Sequence, residues 1–183
     1  MTMTGDRPRC FVALTPDPGS RDVLAGLPVA NGARRTPRAQ LHLTLAFLGP
    51  VERAGTERLA QRLPQLAAYD AMPALDVTRI ARWPSTAHAR LVVAELAQPV
   101  EVMAMSARLT EVLRGLGLPP DSRAFRPHVT LARLPRDADP LAVEPEGATP
   151  AVALRFDTLT LYESILSHLG AEHRVLASVP LPG

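Results

Sequence analysis

The chain has 183 residues, 46% of them hydrophobic, a size and composition that fit one domain or two small lobes sharing a core. The formal net charge is only +2, every basic residue is arginine, and no basic run of the nucleic-acid-binding kind occurs, so most arginines are expected at the solvated surface. No stretch nears the roughly 18 consecutive apolar residues of a membrane span, the first residues lack a signal-peptide core, and the lone Cys10 supports neither an internal disulfide nor a zinc cluster; a soluble cytoplasmic protein with no membrane partner is expected.

From the N-terminus, residues 9–14 (RCFVAL) read as a first strand. The TPDPGS turn follows, with Ser20 expected to cap a short helix through Leu27. Residues 28–40, carrying Arg34, Arg35, Pro37 and Arg38, read as a loop. A strand over 41–48 is stopped by Gly49-Pro50. Leu59, Leu63 and Leu66 among charged positions mark a surface helix over 52–68, weakened near its end by Pro64. Residues 74–83 and 89–96 read as a hairpin around Pro84-Ser85-Thr86. Pro99 suits a first helical turn, and Val102, Met105, Leu109, Val112, Leu113 and Leu116 recur at helical steps until Gly115 and Gly117 end the pattern. After the LPPDSR turn a strand starts near His128, and residues 135–150 form a loop rich in Pro, Asp, Glu and Gly. Residues 154–164 and 173–179 read as strands joined by the SHLGAE turn. This β-rich order with two or three helices, and no linker between halves, implies an α+β fold.

Two of these strands are near copies. HLTLAFL at 42–48 and HVTLARL at 128–134 agree at five of seven positions, sharing His, Thr, Leu, Ala and Leu. Period-two alternation places His42, Thr44 and Ala46 on one face and Leu43 and Leu45 on the other; His128, Thr130 and Ala132 likewise oppose Val129 and Leu131. Each strand then buries an aliphatic face and presents an imidazole and a hydroxyl. A duplicated half-domain would bring both faces to one cleft. Paired imidazoles serve acid–base catalysis, because a near-neutral pKa suits both accepting and donating a proton. Metal binding wants a third ligand, and no His-Glu-x-x-His motif or acidic cluster lies nearby. Two hydroxyls beside two imidazoles form a donor set suited to a phosphoryl oxyanion. No Gly-rich phosphate loop is present, so a nucleoside triphosphate is not the obvious ligand.

The paired His-x-Thr strands resemble those of the two-histidine (2H) phosphoesterase superfamily. Within it the chain is similar to the RNA 2′,3′-cyclic phosphodiesterases, also called 2′-5′ RNA ligases or LigT-like proteins. RCFVAL at 9–14, LHLTLAFLG at 41–49, FRPHVTLARL at 125–134, LTLYES at 159–164 and GAEHRVL at 170–176 all follow the pattern, so the likeness runs nearly end to end. It implies a bilobal, pseudo-twofold α+β fold over residues 1–183, with two antiparallel sheets around a central cleft and helices outside. It further implies a monomer that needs no metal or other cofactor. The implied partners are RNA ends or nucleotides bearing a 2′,3′-cyclic phosphate, opened to a 2′-phosphate, with 2′-5′ ligation as a related reaction. His42 would donate a proton to the leaving 3′ oxygen and His128 would accept one from water. Thr44 and Thr130 would hold the non-bridging oxygens. The residues themselves leave open which histidine is acid and which is base.

The resemblance also places an arginine, here Arg133, near the phosphate. Strand alternation puts Arg133 on the Leu131 face, from which it needs a bulge or a strand end to reach the cleft. Arg126 has the right parity but precedes Pro127, which holds it extended. Phe11 is a candidate for stacking a nucleobase, with a core position as the competing reading. Tyr162 reads as core with an anchored hydroxyl, Trp83 as a lid on a core edge, and His88 and His168 as solvated turn residues. His173 stands where the family often has an aromatic residue. Two other functions fit the same motifs: a phosphodiesterase of small cyclic nucleotides or ADP-ribose derivatives, and an RNA-end-binding protein with little turnover.

Overall fold

The protein is described by a computed structural model covering residues 7–68, 71–85, 88–119, 122–135, 151–167 and 170–183. Its strands are β1 (Arg9–Pro16), β2 (Arg34–Arg35), β3 (Leu43–Pro50), β4 (Leu75–Trp83), β5 (Leu91–Leu96), β6 (His128–Arg133), β7 (Ala153–Leu154), β8 (Phe156–Ser167) and β9 (Gly170–Pro180). The helices are α1 (Pro18–Gly26), α2 (Arg53–Ala67) and α3 (Val100–Gly115), with a 3-10 turn at Arg38–Gln40. The strands run in the order β7-β4-β5-β6-β3-β1-β8-β9, and β2 adds to β6. Every pairing is antiparallel.

The two His-x-Thr strands meet at the centre of this order. β3 and β6 are joined through one register pair, Leu43 opposite Val129, and both side chains are fully buried. On one side lie β6, β5, β4 and β7; on the other lie β3, β1, β8 and β9. Instead of the expected two separate sheets, the strands form one large antiparallel sheet whose two halves join along this short seam. Among the described residues, no helix is long and apolar enough to cross a membrane.

The helices bury the faces that their periodicity marks. α3 turns Val102, Met105, Leu109 and Leu113 into the core, and α2 turns in Leu59, Leu63 and Leu66. Pro64 lies inside α2, where it removes one backbone donor; the helix ends three residues later, with the Ala68 amide donating to the Pro64 carbonyl. At α1 the cap differs from expectation. Asp17, not Ser20, is the capping residue: its side chain accepts the amide of Ser20 at 2.6 Å, and Pro18 fills the first turn, where a missing N–H costs nothing. Ser20 is buried, and its hydroxyl accepts the Arg155 amide, tying α1 to the segment before β8.

Two further boundaries move. β2 falls inside the expected loop, because Arg34 and Arg35 pair with Arg133 and Ala132. β3 continues through Gly49-Pro50, with Gly49 at φ 68° beside a register shift against β1. In α2 a Cβ on Gly55 would sit 2.9 Å from Val51 Cγ1 and 3.1 Å from Leu118 Cδ2, both of buried residues. Gly55→Ala is expected to lower stability by about 1–2 kcal/mol, because overpacking outweighs the gain in helix propensity. Urea unfolding of the variant checks the sign.

Candidate active site

A cleft of about 1130 Å³ opens along the seam, and His42, Thr44, His128, Thr130 and Arg133 all line it. The two motifs are folded alike. Residues 42–47 and 128–133 share one order of exposure: half-buried His, buried aliphatic, half-buried Thr, two buried residues, then an exposed side chain. The doublet breaks strict alternation, and its cause is a bulge in each copy. Against β1, Thr44 pairs with Ala13 and Ala46 with Val12, leaving Leu45 as the extra residue. Against β5, Thr130 pairs with Val93 and Ala132 with Val92, leaving Leu131 extra.

The bulges correct one expectation and satisfy another. Ala46 is buried but still lines the cleft with His42 and Thr44, whereas Ala132 does not line it and packs instead in a small apolar cluster with Ala30, Ala89, Val92 and Leu134. Arg133, which needed a bulge to reach the cleft, has one. In the first copy the same bulge turns Phe47 into the cleft, 46% exposed, with the Arg123 guanidinium 5.3 Å from its ring centroid. Alternation alone hides Phe47; the Phe–Arg mismatch between otherwise similar copies was the available signal.

Both imidazoles are held in the same way. His42 Nδ1 lies 2.7 Å from the Gln40 carbonyl, and His128 Nδ1 lies 2.7 Å from the Arg126 carbonyl. A carbonyl only accepts, so Nδ1 carries the proton in each ring, and the neutral ring keeps its lone pair on Nε2. Burial pushes the His42 pKa down to about 4; the Gln40 carbonyl opposes this, while His173, His128 and Arg133 add to it. Burial also lowers His128, with Arg126 and Arg123 in the same direction, and the Arg126 carbonyl and Glu95 against it. The protein surroundings alone thus favour two neutral imidazoles.

Around His42 the packing is aromatic. Phe11 lies 4.9 Å from His42 and 5.1 Å from Tyr162, ring centre to ring centre. Phe11 lines the cleft but is only 2% exposed, with its ring packed against these neighbours, in keeping with the competing core reading. Tyr162 is buried, with its hydroxyl 3.0 Å from that of Thr15, as an anchored core residue should be. His173 stands edge-on to Phe11 and His42, at 4.9 and 5.0 Å, so the residue that departs from the family pattern reaches the cleft and His42 itself. Its own pKa is lowered by burial and then by Arg133.

Around His128 the surroundings are charged. Trp83 is not a lid on a core edge; its ring lies 4.2 Å from the His128 imidazole, and the Arg126 guanidinium stacks over the same indole at 4.2 Å. Both Trp83 and Arg126 line the cleft. His88 is exposed, as expected, and His168 lies outside the described residues. The arginines are at the solvated surface as expected, but six of those exposed side chains, Arg9, Arg34, Arg35, Arg123, Arg126 and Arg133, line this one cleft, where among the described residues Glu172 is the acidic lining residue. Among the described residues, no three His, Cys, Asp or Glu side chains gather as a metal ion would require.

The arrangement has known relatives. TT0787 of Thermus thermophilus has the same fold, with a TM-score of 0.73 and 25% identity, covering 94% of this chain and 97% of that one. Escherichia coli LigT complexed with 3′-AMP gives 0.68 at 24% identity, covering 97% of this chain and 99% of that one. The MHV ns2 PDE domain gives 0.56 at 17% identity, covering 95% and 100%. LigT also has structures with NADP+ and with ATP. No curated protein sequence matches the chain. The sequence pattern of one family matches residues 16–166, a span that starts before the first His-x-Thr strand and ends beyond the second, and by that match the chain belongs to the 2′-5′ RNA ligase superfamily.

Proposed function

We propose that this protein is a metal-independent phosphodiesterase that opens the 2′,3′-cyclic phosphate of an RNA end or nucleotide to a 2′-phosphate. The observation that carries the reading is the pair of Nδ1-tethered imidazoles on one cleft, each with a threonine hydroxyl two residues on. His128 Nε2 takes a proton from the attacking water as oxygen bonds to phosphorus. The P–O3′ bond breaks, and His42 Nε2–H protonates the departing oxygen. Thr44, Thr130 and Arg133 hold the non-bridging oxygens as charge builds on them. The substrate's negative charge offsets the effect of burial, favouring the protonated form that an acid needs. With an RNA 5′-hydroxyl in place of water, the same steps form a 2′-5′ linkage.

Two observations favour an RNA end over a small cyclic nucleotide or ADP-ribose derivative. The cleft, at about 1130 Å³, exceeds the roughly 300–1,000 Å³ usual for small-molecule sites. Its arginines outnumber what a single phosphate engages, and guanidinium suits phosphate recognition. The nucleotide complexes of LigT support a nucleotide-type ligand and favour neither of the two.

Product analysis tests the reading. RNA ending in a 2′,3′-cyclic phosphate should yield a 2′-phosphate, at the same rate with and without EDTA. A 3′-phosphate product, or no hydrolysis, would overturn it. Activity lost on chelation and restored by Mg²⁺, Mn²⁺ or Zn²⁺ would make the histidines metal ligands instead of proton carriers.

A further inference from the structure

One half-buried carboxylate beside the cleft takes no part in the proton transfers or in holding the phosphate. Glu95 sits in β5, directly opposite His128 on β6 and opposite Arg79 on β4. Its side chain is 15% exposed, against 61% for Arg79 and 55% for Arg126. Oε2 accepts from Arg79 Nε at 2.6 Å, and Oε1 accepts from Arg79 Nη2 at 3.1 Å, from Trp83 Nε1 at 2.7 Å and from Arg126 Nη2 at 3.2 Å. A carboxylate with this many donors stays ionised. Trp83, whose N–H is fixed by Glu95, then places its ring 4.2 Å from the His128 imidazole. Arg126, held by the same carboxylate, carries the carbonyl that receives His128 Nδ1–H.

We infer that Glu95 is a positioning residue for His128, acting through the Trp83 indole and the Arg126 segment that it anchors. An imidazole tied only at Nδ1 can still swing about that hydrogen bond. The indole against its face restricts the swing, and the indole itself cannot turn without giving up a charge-assisted bond. The carboxylate does a second thing. The charged groups that face His128 are Arg126 and Arg123 from the segment before β6, His42 from the other half, and Glu95 from β5. Glu95 is the anion in that set, so it sustains the basicity that burial and the arginines reduce.

The inference rests on His128 acting as the base, and the test separates the two. Glu95→Gln keeps an acceptor oxygen and removes the charge. Trp83→Phe keeps a ring against His128, removes the N–H, and leaves the pair between Glu95 and Arg79 intact. The His128 imidazole is titrated by NMR in free protein, and kcat and KM are measured on a 2′,3′-cyclic nucleotide. In Glu95→Gln, His128 should titrate at lower pH than in wild type. In both variants kcat should fall about three- to tenfold, a fraction of the 10²–10⁴ that general-base catalysis supplies, with KM changed less. Wild-type kcat and an unmoved His128 titration in folded Glu95→Gln would overturn the inference, as would a lower melting temperature with both quantities unchanged. Should Glu95→Gln not fold, wild-type kcat and an unaltered His128 ring signal in Trp83→Phe would overturn it alone. A wild-type protein that leaves the cyclic nucleotide intact would remove the proposed function, while the titration would still decide whether Glu95 acts on His128.

Discussion

His42→Ala or His128→Ala should each lower kcat/KM for a 2′,3′-cyclic phosphate by about 10²–10⁴, the usual contribution of one acid or base. Neither Nε2 has a substitute within its own motif, since the residues that follow each histidine offer an aliphatic chain and a hydroxyl, and a hydroxyl does not titrate near neutral pH. The nearby His173 is the exception to examine at His42. It packs edge-on to that ring, so residual activity in His42→Ala that disappears in the His42→Ala, His173→Phe double variant would trace that activity to His173. Thr44→Ala and Thr130→Ala should cost less, because a neutral hydrogen bond contributes about 1 kcal/mol, or roughly fivefold. Single-turnover hydrolysis, with thermal melts to confirm folding, reads all four. A histidine variant that keeps the wild-type rate removes that histidine from the mechanism.

Acid should destabilise the protein through His42 before most carboxylates are titrated. The folded pKa of about 4 lies below the ordinary value of 6.5, so between these limits the unfolded chain binds the proton and the folded chain does not. Stability from this group is complete above pH 6.5 and is lost as pH falls toward 4, by about 3 kcal/mol at 1.36 kcal/mol per unit. His128 and His173 are lowered too, and act with the same sign. Urea unfolding at stepped pH gives the curve. His42→Gln, neutral at every pH and still able to donate to the Gln40 carbonyl, should flatten it by about that amount. Parallel curves for wild type and His42→Gln would show that the half-buried imidazole carries no such linkage.

Much of this was written in local pattern. The long helix α3 is legible because Val102, Met105, Leu109 and Leu113 follow the helical period, and the period survives folding unchanged. The His and Thr positions are legible because the copies repeat within apolar frames. What escaped is what depends on partners distant in sequence. The two-residue strand β2 exists only because β6 lies beside it. The cap on α1 shifted to Asp17 because Ser20 is drawn to the Arg155 amide, 135 residues on. Trp83 and Glu95 belong to a hairpin that is plain in the sequence, but their use depends on β5 meeting β6, which no period announces. Phe11 was ambiguous for the same reason: a strand aromatic reads alike whether its face is covered or open, and here Tyr162, His42 and His173 cover it.

The bulge that follows each His-x-Thr also makes the two sides of the cleft differ. It sends the sixth residue of each repeat out of the hydrophobic interior, so that position is free to vary while Leu and Ala before it are constrained by packing. The two repeats differ there, with phenylalanine at 47 and arginine at 133. Phe47 sets an aromatic ring on one side of the cleft and Arg133 a guanidinium on the other. A nucleotide is itself two-sided, a flat base at one end and an anion at the other. Under the proposed function, exchanging Phe47 or Arg133 should alter substrate preference while leaving His42 and His128 in place.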